Sequence, residues 1–361
     1  MMKLLITFLL SIFLFGNSSF LSVNGTYQAR NYIVMDAYTN EVLEGKDIND
    51  SYSVASISKI MTAIIALESD RLFDVIVVDD IIKTIEGSSL YLSIGDQITI
   101  IDLVYGLLLR SGNDAAIELA YQVASSTENF VYLMNLLAKN IGMKHSNFVN
   151  SSGLEEKDSA NTSTVYDMAL LSSYAIKNPE YQKIVGTKDI TVKTNLKSYI
   201  WHNKNKLLTS YKYCTGGKTG YTKKAKRTLV TNASKNNVNL TVVTFNDGND
   251  FDDHKDLYEK YFNTLKNYKI VSKGRIKTDY NNTFIDRDFY MSLSKDEYSK
   301  IKTTINYYDN NATNIVGSLT VSLNGKEYFK ENIYIKEPKK EKELKWYQKL
   351  IKMLFKKEYY D

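Results

Sequence analysis

The chain has 361 residues, of which 43% are hydrophobic and 24% charged, an ordinary globular mix with length for about two domains, so a mainly disordered protein is excluded. One cysteine (Cys214) and three histidines (His145, His202, His254) exclude an intrachain disulfide and any zinc site that needs two cysteines, so neither a metal nor another cofactor is expected. The net charge of +5 is concentrated at the end, where residues 336–361 carry nine lysines and five acids, 9 − 5 = +4; the body is near neutral, which argues against nucleic acid as a partner.

In chain order, Lys3, the apolar run Leu4 to Phe15 and the small polar residues Gly16 to Ser19 have the layout of a secretory signal peptide, expected over residues 1–25. The run is short of the ~20 residues of a membrane span, though Phe20 to Val23 extend it toward an uncleaved anchor. Residues 31–44 read as a hairpin with a turn near Tyr38-Thr39-Asn40. A helix follows from Ser56, apolar on nearly every side through Leu67 and therefore buried. Further helical periods cover 101–109, 114–124, 128–141 and 163–176, strand signals return at 217–222, 228–233 and 240–245, and an amphipathic helix is expected over 252–265. Helices lying between an early hairpin and a late antiparallel set predict an α+β domain, residues 26–266, whose sheet is completed by both ends of the chain and carries helices on both faces. Short alternating segments predict a small all-β domain over 267–336. Residues 337–361 form the last unit, in which a helix over 343–360 gathers Leu344, Trp346, Leu350, Ile351 and Leu354 on one side and lysines on the other. That basic amphipathic helix is expected to lie on an anionic membrane surface; the alternative is packing against the protein's own body.

Three short motifs carry chemistry. Ser56-Ile57-Ser58-Lys59 places a hydroxyl and an amine three residues apart, on one helical face. Serine is a weak nucleophile without an adjacent base, and a lysine in an apolar setting near another cation can release its proton and serve as one. Ser111-Gly112-Asn113 follows an apolar helix, where its plain reading is a helix stop. Lys218-Thr219-Gly220 lies in a strand flanked by Gly216 and Gly217, and a glycine-rich strand marks close approach of a ligand or another backbone. Each alone is dismissible; all three in this order are not.

With these motifs the sequence resembles the penicillin-binding and serine β-lactamase superfamily, and within it the low-molecular-weight D-alanyl-D-alanine carboxypeptidases, from about Ala29 to Ile335. Supporting words are Tyr32 to Ala37, Glu86-Gly87-Ser88-Ser89, Leu107 to Ala116, Gly142-Met143-Lys144 and Gly217 to Thr222. The resemblance implies a β-lactamase/transpeptidase-like domain. It implies Ser56 as the acylated nucleophile, Lys59 as its general base and Ser111 as a proton relay. Asn113 would contact the substrate amide, Lys218 and Thr219 would bind the terminal carboxylate, and Gly220 would leave room for the substrate. An oxyanion hole would be formed by the backbone N–H groups of Ser56 and Tyr221. The substrate would be peptidoglycan stem pentapeptides ending in D-Ala-D-Ala, with β-lactams as covalent inhibitors, and the enzyme would act on the outer face of the cytoplasmic membrane or in the cell wall space. Val54 and Ser58 replace a proline and a threonine often found around the nucleophile, and Lys226 replaces a glycine usual after the Lys-Thr-Gly strand.

Two rival functions share parts of this pattern. A β-lactamase of the class A kind would need a Glu-x-x-Leu-Asn element, and residues 153–164 hold Glu155 and Glu156 without it. A non-catalytic β-lactam sensor or wall-binding protein would need a signalling domain across the membrane, which the sequence does not show. None of the histidines stands in a recognisable catalytic motif, and Cys214 reads as a small buried residue.

Overall fold

In a computed structural model the described residues are 27–336 except Asp158, Asn281 and 309–313, so the leader segment and the terminal amphipathic helix lie outside them. Strands β1 (Asn31–Asp36) and β2 (Val42–Lys46) form the early hairpin. Much later in the chain come β3 (Cys214–Thr222), β4 (Lys226–Lys235) and β5 (Val238–Phe245). All pair antiparallel in the order β2-β1-β5-β4-β3, so the two ends of this region do complete one sheet, with β3 at its edge among the described residues. The β4–β5 connection turns on Asn236 and Asn237, both at positive φ (53° and 63°), the geometry that matches the twist of a two-residue hairpin.

Helices cover both faces. Between β2 and β3 lie α1 (Lys59–Glu68), α2 (Ile100–Arg110), α3 (Asn113–Ala124), α4 (Thr127–Ile141), α5 (Val165–Ala175) and α6 (Pro179–Gly186). Alternation along β1 sends Ile33 and Met35 into their core and Tyr32 and Val34 to the opposite face. There α7 (Asp250–Phe262) covers the sheet with Leu257, Tyr258 and Phe262. Every residue of α1 from Lys59 to Leu67 is buried, as its nearly uniform apolar sequence requires.

From Lys266 onward the elements are strands, with one short helix, Lys295–Ser299, capped by Ser294, where an all-β unit was expected. Gly274–Ile276, Thr283–Ile285, Lys326–Tyr334, Ile315–Leu323 and Lys302–Tyr307 make a second antiparallel sheet in that order, over its own cluster of Ile285, Val321, Leu323, Phe329 and Ile333.

Two boundaries differ from expectation in ways that matter for chemistry. Ser56 is not in an α-helix: Ala55–Ser58 form a single 3₁₀ turn, and α1 begins only at Lys59. The strand with the Lys-Thr-Gly motif is longer than expected, starting at Cys214.

Candidate active site

The turn bearing Ser56 is held in an uncommon backbone conformation. Ala55 has φ +52°, a left-handed region that costs a non-glycine residue of order 1–3 kcal/mol and persists where the surroundings over-determine it. They do so here on two sides. A Cβ on Gly153 would stand 2.1 Å from the Ala55 carbonyl oxygen, and one on Gly220 would stand 2.4 Å from Thr228 Oγ1 and 3.1 Å from the backbone nitrogens of Ser56 and Ile57. Only glycine at both positions lets the loop and β3 close on the turn. Thr228 Oγ1 donates to the Val54 carbonyl at 3.0 Å and Ser58 Oγ to that of Ala55 at 2.8 Å, fixing the turn to the sheet.

Lys59 is fully buried (0% exposed). Its Nζ lies 3.1 Å from Ser56 Oγ and 2.7 Å from Asn113 Oδ1, and it also donates to the Ser152 carbonyl. Burial, assisted by the charge of Lys204, pulls its pKa down to about 7, with Asp114 opposing. The Ser152 carbonyl is presented by a loop that Thr62 Oγ1 grips through the Ser151 carbonyl at 2.6 Å.

The second motif closes α2 and opens α3. Ser111 caps α2 at φ +67°, which turns the chain so that its hydroxyl lines the cleft. Asn113 is the first residue of α3; its amide Nδ2 donates to the Glu86 carbonyl at 2.7 Å, and its backbone N–H to that of Ser88 at 2.7 Å. Asp114 accepts from Ser89 Oγ (2.6 Å) and from the N–H groups of Leu90 and Leu92. The Glu86-Gly87-Ser88-Ser89 stretch is thereby docked on the start of α3, and Ser88 becomes a cleft wall.

The third motif lies on β3. Among the described residues its outer edge has no neighbouring strand, so its outward N–H and C=O groups can pair with an extended peptide. Thr219, Gly220 and Tyr221 line the cleft, a cavity of about 350 Å³ shared with Ser56, Ser88 and Ser111. Lys218 is 1% exposed and is not part of that wall; its Nζ donates to the Thr219 carbonyl at 2.7 Å. Burial, then the neighbouring charges of Lys59 and Lys204, hold its pKa well below the ordinary lysine value.

The structure thus gathers Ser56, Lys59, Ser111, Asn113 and the strand from Lys218 to Tyr221 around one cleft and sets Lys218 behind its surface. It adds groups that the motifs did not announce: the carbonyls of Ser152 and Glu86, Lys204, Lys206, and the pair Arg227 and Asp250. The other nucleophile and base candidates lie elsewhere. His254 is sealed between Thr231 and Thr244, and burial pushes its pKa down to about 3. Burial raises the Cys214 thiol to about 11, where it is not a thiolate at neutral pH. Glu155 and Glu156 line a different cavity, and Glu155 accepts from Ser53 Oγ.

A profile of the peptidase S11 family, D-alanyl-D-alanine carboxypeptidase, matches residues 19–249. D-alanyl-D-alanine carboxypeptidase DacF of Bacillus subtilis is 31% identical over 259 residues, 68% of this chain and 66% of the relative, so that match leaves a third of the relative uncovered. DacA of Haemophilus influenzae is 26% identical over 336 residues, 85% of this chain and 84% of its own. The solved structure of penicillin binding protein 5 from Haemophilus influenzae superposes with a TM-score of 0.72 at 24% identity, over 87% of this chain and 98% of that one, and so shares the fold. The chain belongs to the D-alanyl-D-alanine carboxypeptidase family of serine hydrolases.

Proposed function

We propose that this chain removes the terminal D-alanine from peptidoglycan stem pentapeptides through an acyl-enzyme on Ser56, and that β-lactams are trapped at the same step. The observation that carries this is the Lys59 Nζ, buried, 3.1 Å from Ser56 Oγ, with its pKa lowered to about 7, where an amine is a competent base at neutral pH. Ser56 Oγ attacks the carbonyl carbon of the penultimate D-alanine while its proton passes to Lys59 Nζ. The tetrahedral oxyanion is met by the N–H groups of Ser56 and Tyr221. Ser111 relays a proton to the departing amine, which leaves as D-alanine. Water then attacks the ester, and its proton returns through Lys59 to regenerate Ser56. Asn113 holds the substrate amide and, through its Oδ1, the orientation of Lys59; Thr219 meets the substrate end, and Gly220 lets the substrate lie along β3. Lys218 stands with Thr219 at the substrate's carboxylate end, its Nζ on the Thr219 carbonyl at 2.7 Å.

Residues 26–266 act as the peptidase unit and 267–336 as a small β unit, a division supported by their separate hydrophobic clusters. The enzyme is exported, and residues 337–361 hold it on the outer face of the cytoplasmic membrane; no helix among the described residues is long and apolar enough to cross one.

The test is labelling by a tagged penicillin followed by peptide mapping. An adduct on Ser56 that disappears in Ser56→Ala supports the reading; undiminished labelling of that variant overturns it. Rapid release of hydrolysed drug would instead support β-lactamase action, for which the described residues of 153–164 supply no carboxylate to the cleft.

A further inference from the structure

The end of the sheet far from Ser56 carries a second depression. A cavity of about 300 Å³ crosses the strand ends from Thr215 on β3, past Ser234 on β4, to Asn239 on β5 and Tyr38 just after β1. Tyr38 and Asn239 also line a neighbouring cavity of about 800 Å³, which continues onto the strands beyond Lys266. The strand order β1-β5-β4-β3 separates Thr215 from the end of β1 by three strand spacings, ~14 Å. The two cavities together therefore make a groove suited to an extended chain rather than to a compact ligand. Thr215 lies five residues along β3 from Gly220, ~16 Å, so groove and catalytic cleft can be filled at once.

The lining of the larger cavity has a definite chemistry. Tyr38 on one wall is 60% exposed and Tyr290 on the other 41%, so both rings are available to a ligand. The register of Lys266–Val271 on Phe289–Leu293 sets Asn267 opposite Ser292. Alternation then sends Met291 and Leu293 into the core beneath and turns Tyr290, Ser292 and Asn267 to the groove. Asn237 and Asn267 offer side-chain amides that have no hydrogen-bond partner among the described residues. Lys177 and Lys330 line the cavity without an ion pair among the described residues, whereas the charge of Arg287 is matched by Glu331 and that of Asp288 by Lys269.

Exposed aromatic faces, unbonded amides and two unpaired ammonium groups on one concave surface complement a sugar polymer that also bears carboxylates. The C–H face of a sugar ring packs on an aromatic ring, while its hydroxyl and acetamido groups need both donors and acceptors, which an amide supplies together. A membrane surface would call for a projecting apolar face, and a phosphodiester polymer for a run of cations; the groove has neither. We propose that this groove binds the glycan backbone of peptidoglycan, amino-sugar strands whose peptide branches bring carboxylates to Lys177 and Lys330. It holds the enzyme on the polymer and so raises the effective concentration of peptide ends at the cleft. The identity of the polymer rests on the carboxypeptidase reading.

The test uses the full chain and glycan strands from which the peptides have been cleaved, with affinity measured by titration calorimetry. Tyr38→Ala and Tyr290→Ala are each expected to weaken binding on the order of 10-fold, the value of one aromatic contact, and either carries the test if the other does not fold. Both should keep the parent kcat/KM on a small soluble acyl-D-Ala-D-Ala peptide and release D-alanine more slowly from intact, insoluble peptidoglycan. Absence of binding to the peptide-free strands, or equal binding by the parent and both tyrosine variants, overturns the proposal. So does a loss confined to the double variant Lys177→Gln, Lys330→Gln and to low salt, which would give the groove to an anionic polymer instead. Failure of the underlying reading looks different: the unaltered enzyme would then give no penicillin adduct on Ser56, whereas an adduct without glycan binding removes only the role of the groove.

Discussion

Lys59 meets Ser56 with its one spare valence. Asn113 Oδ1 and the Ser152 carbonyl are both acceptors on Nζ, so in the neutral amine they take its two N–H bonds and the lone pair is left toward Ser56 Oγ, 3.1 Å away. The protonated form uses the same three positions as donors. Neither state leaves a buried polar group without a partner, so the proton can come and go without rearrangement of the site.

A pH dependence with a fixed sign follows. The active form of Lys59 is the deprotonated one, and its pKa lies at about 7 rather than 10.5. The second-order rate of Ser56 acylation by a penicillin should therefore climb about tenfold per pH unit below that value and level off above it. Lys204→Gln removes a positive charge that helps to hold the pKa down, so it should move the midpoint upward and slow acylation at pH 7. Rates measured from about pH 5 to pH 9 decide it; a flat profile would remove Lys59 from the role of base.

How much of this was legible in the sequence depends on whether side chains or backbone do the work. Ser56, Lys59, Ser111, Asn113 and Thr219 carry their chemistry in their side chains and stand in recognisable motifs, and the structure brings them to one cleft. The carbonyls of Ser152 and Glu86 have no side-chain signature, and which residue offers them depends on how its loop folds. The pair of Arg227 and Asp250 spans the distance from β4 to α7, a tertiary contact that no local pattern encodes. The placement of Lys218 was more accessible than it seemed: period-2 alternation on a strand already puts it on the opposite face from Thr219. That both ends of this region complete one sheet, by contrast, could be expected from antiparallel strand signals at both ends, and it is what β1 pairing with β5 delivers.

Gly153, which no motif marks, should be among the least replaceable residues of the site. Alanine there would suffer both φ +74° and a Cβ 2.1 Å from the Ala55 carbonyl and 2.4 Å from Ser58 Oγ. Gly142 provides the control, since its φ is +87° with nothing within 4 Å. Gly142→Ala should cost only ~1–2 kcal/mol in denaturant unfolding, the backbone penalty alone. Gly153→Ala should cost ~1–3 kcal/mol more from crowding and should also slow Ser56 acylation, because the clash falls on the turn that holds the nucleophile. Equal losses in the two variants would show that the Ser56 turn yields easily.

The terminal residues 337–361 are assigned to a membrane surface on sequence grounds, and that assignment has its own measurement. Each lysine near an anionic surface contributes ~1 kcal/mol, fading as salt rises. A chain ending before Lys339 should stay in the supernatant when sedimented with anionic vesicles, and should still turn over a small D-Ala-D-Ala peptide, because every cleft residue precedes Asp253. The full chain should pellet at low salt and be released at high salt. Equal pelleting of both would move the anchor to the leader segment or abolish it.

Lys226, the departure from the glycine usual after the Lys-Thr-Gly strand, sits where glycine has most to offer. It opens β4 opposite Thr222 at φ +61°, a left-handed conformation that costs a residue with a Cβ roughly 1–2 kcal/mol. Lys226→Gly removes that cost but adds the ~0.5–1 kcal/mol that glycine's freedom in the unfolded chain withdraws. The first effect is the larger, so the variant should be more stable by ~0.5–1 kcal/mol, read as a higher denaturant midpoint at unchanged slope. Lys226→Val should move the midpoint the other way, since a β-branched side chain tolerates this region worst. A glycine variant that unfolds earlier than the parent would mean that the lysine side chain makes up more than the backbone strain it imposes.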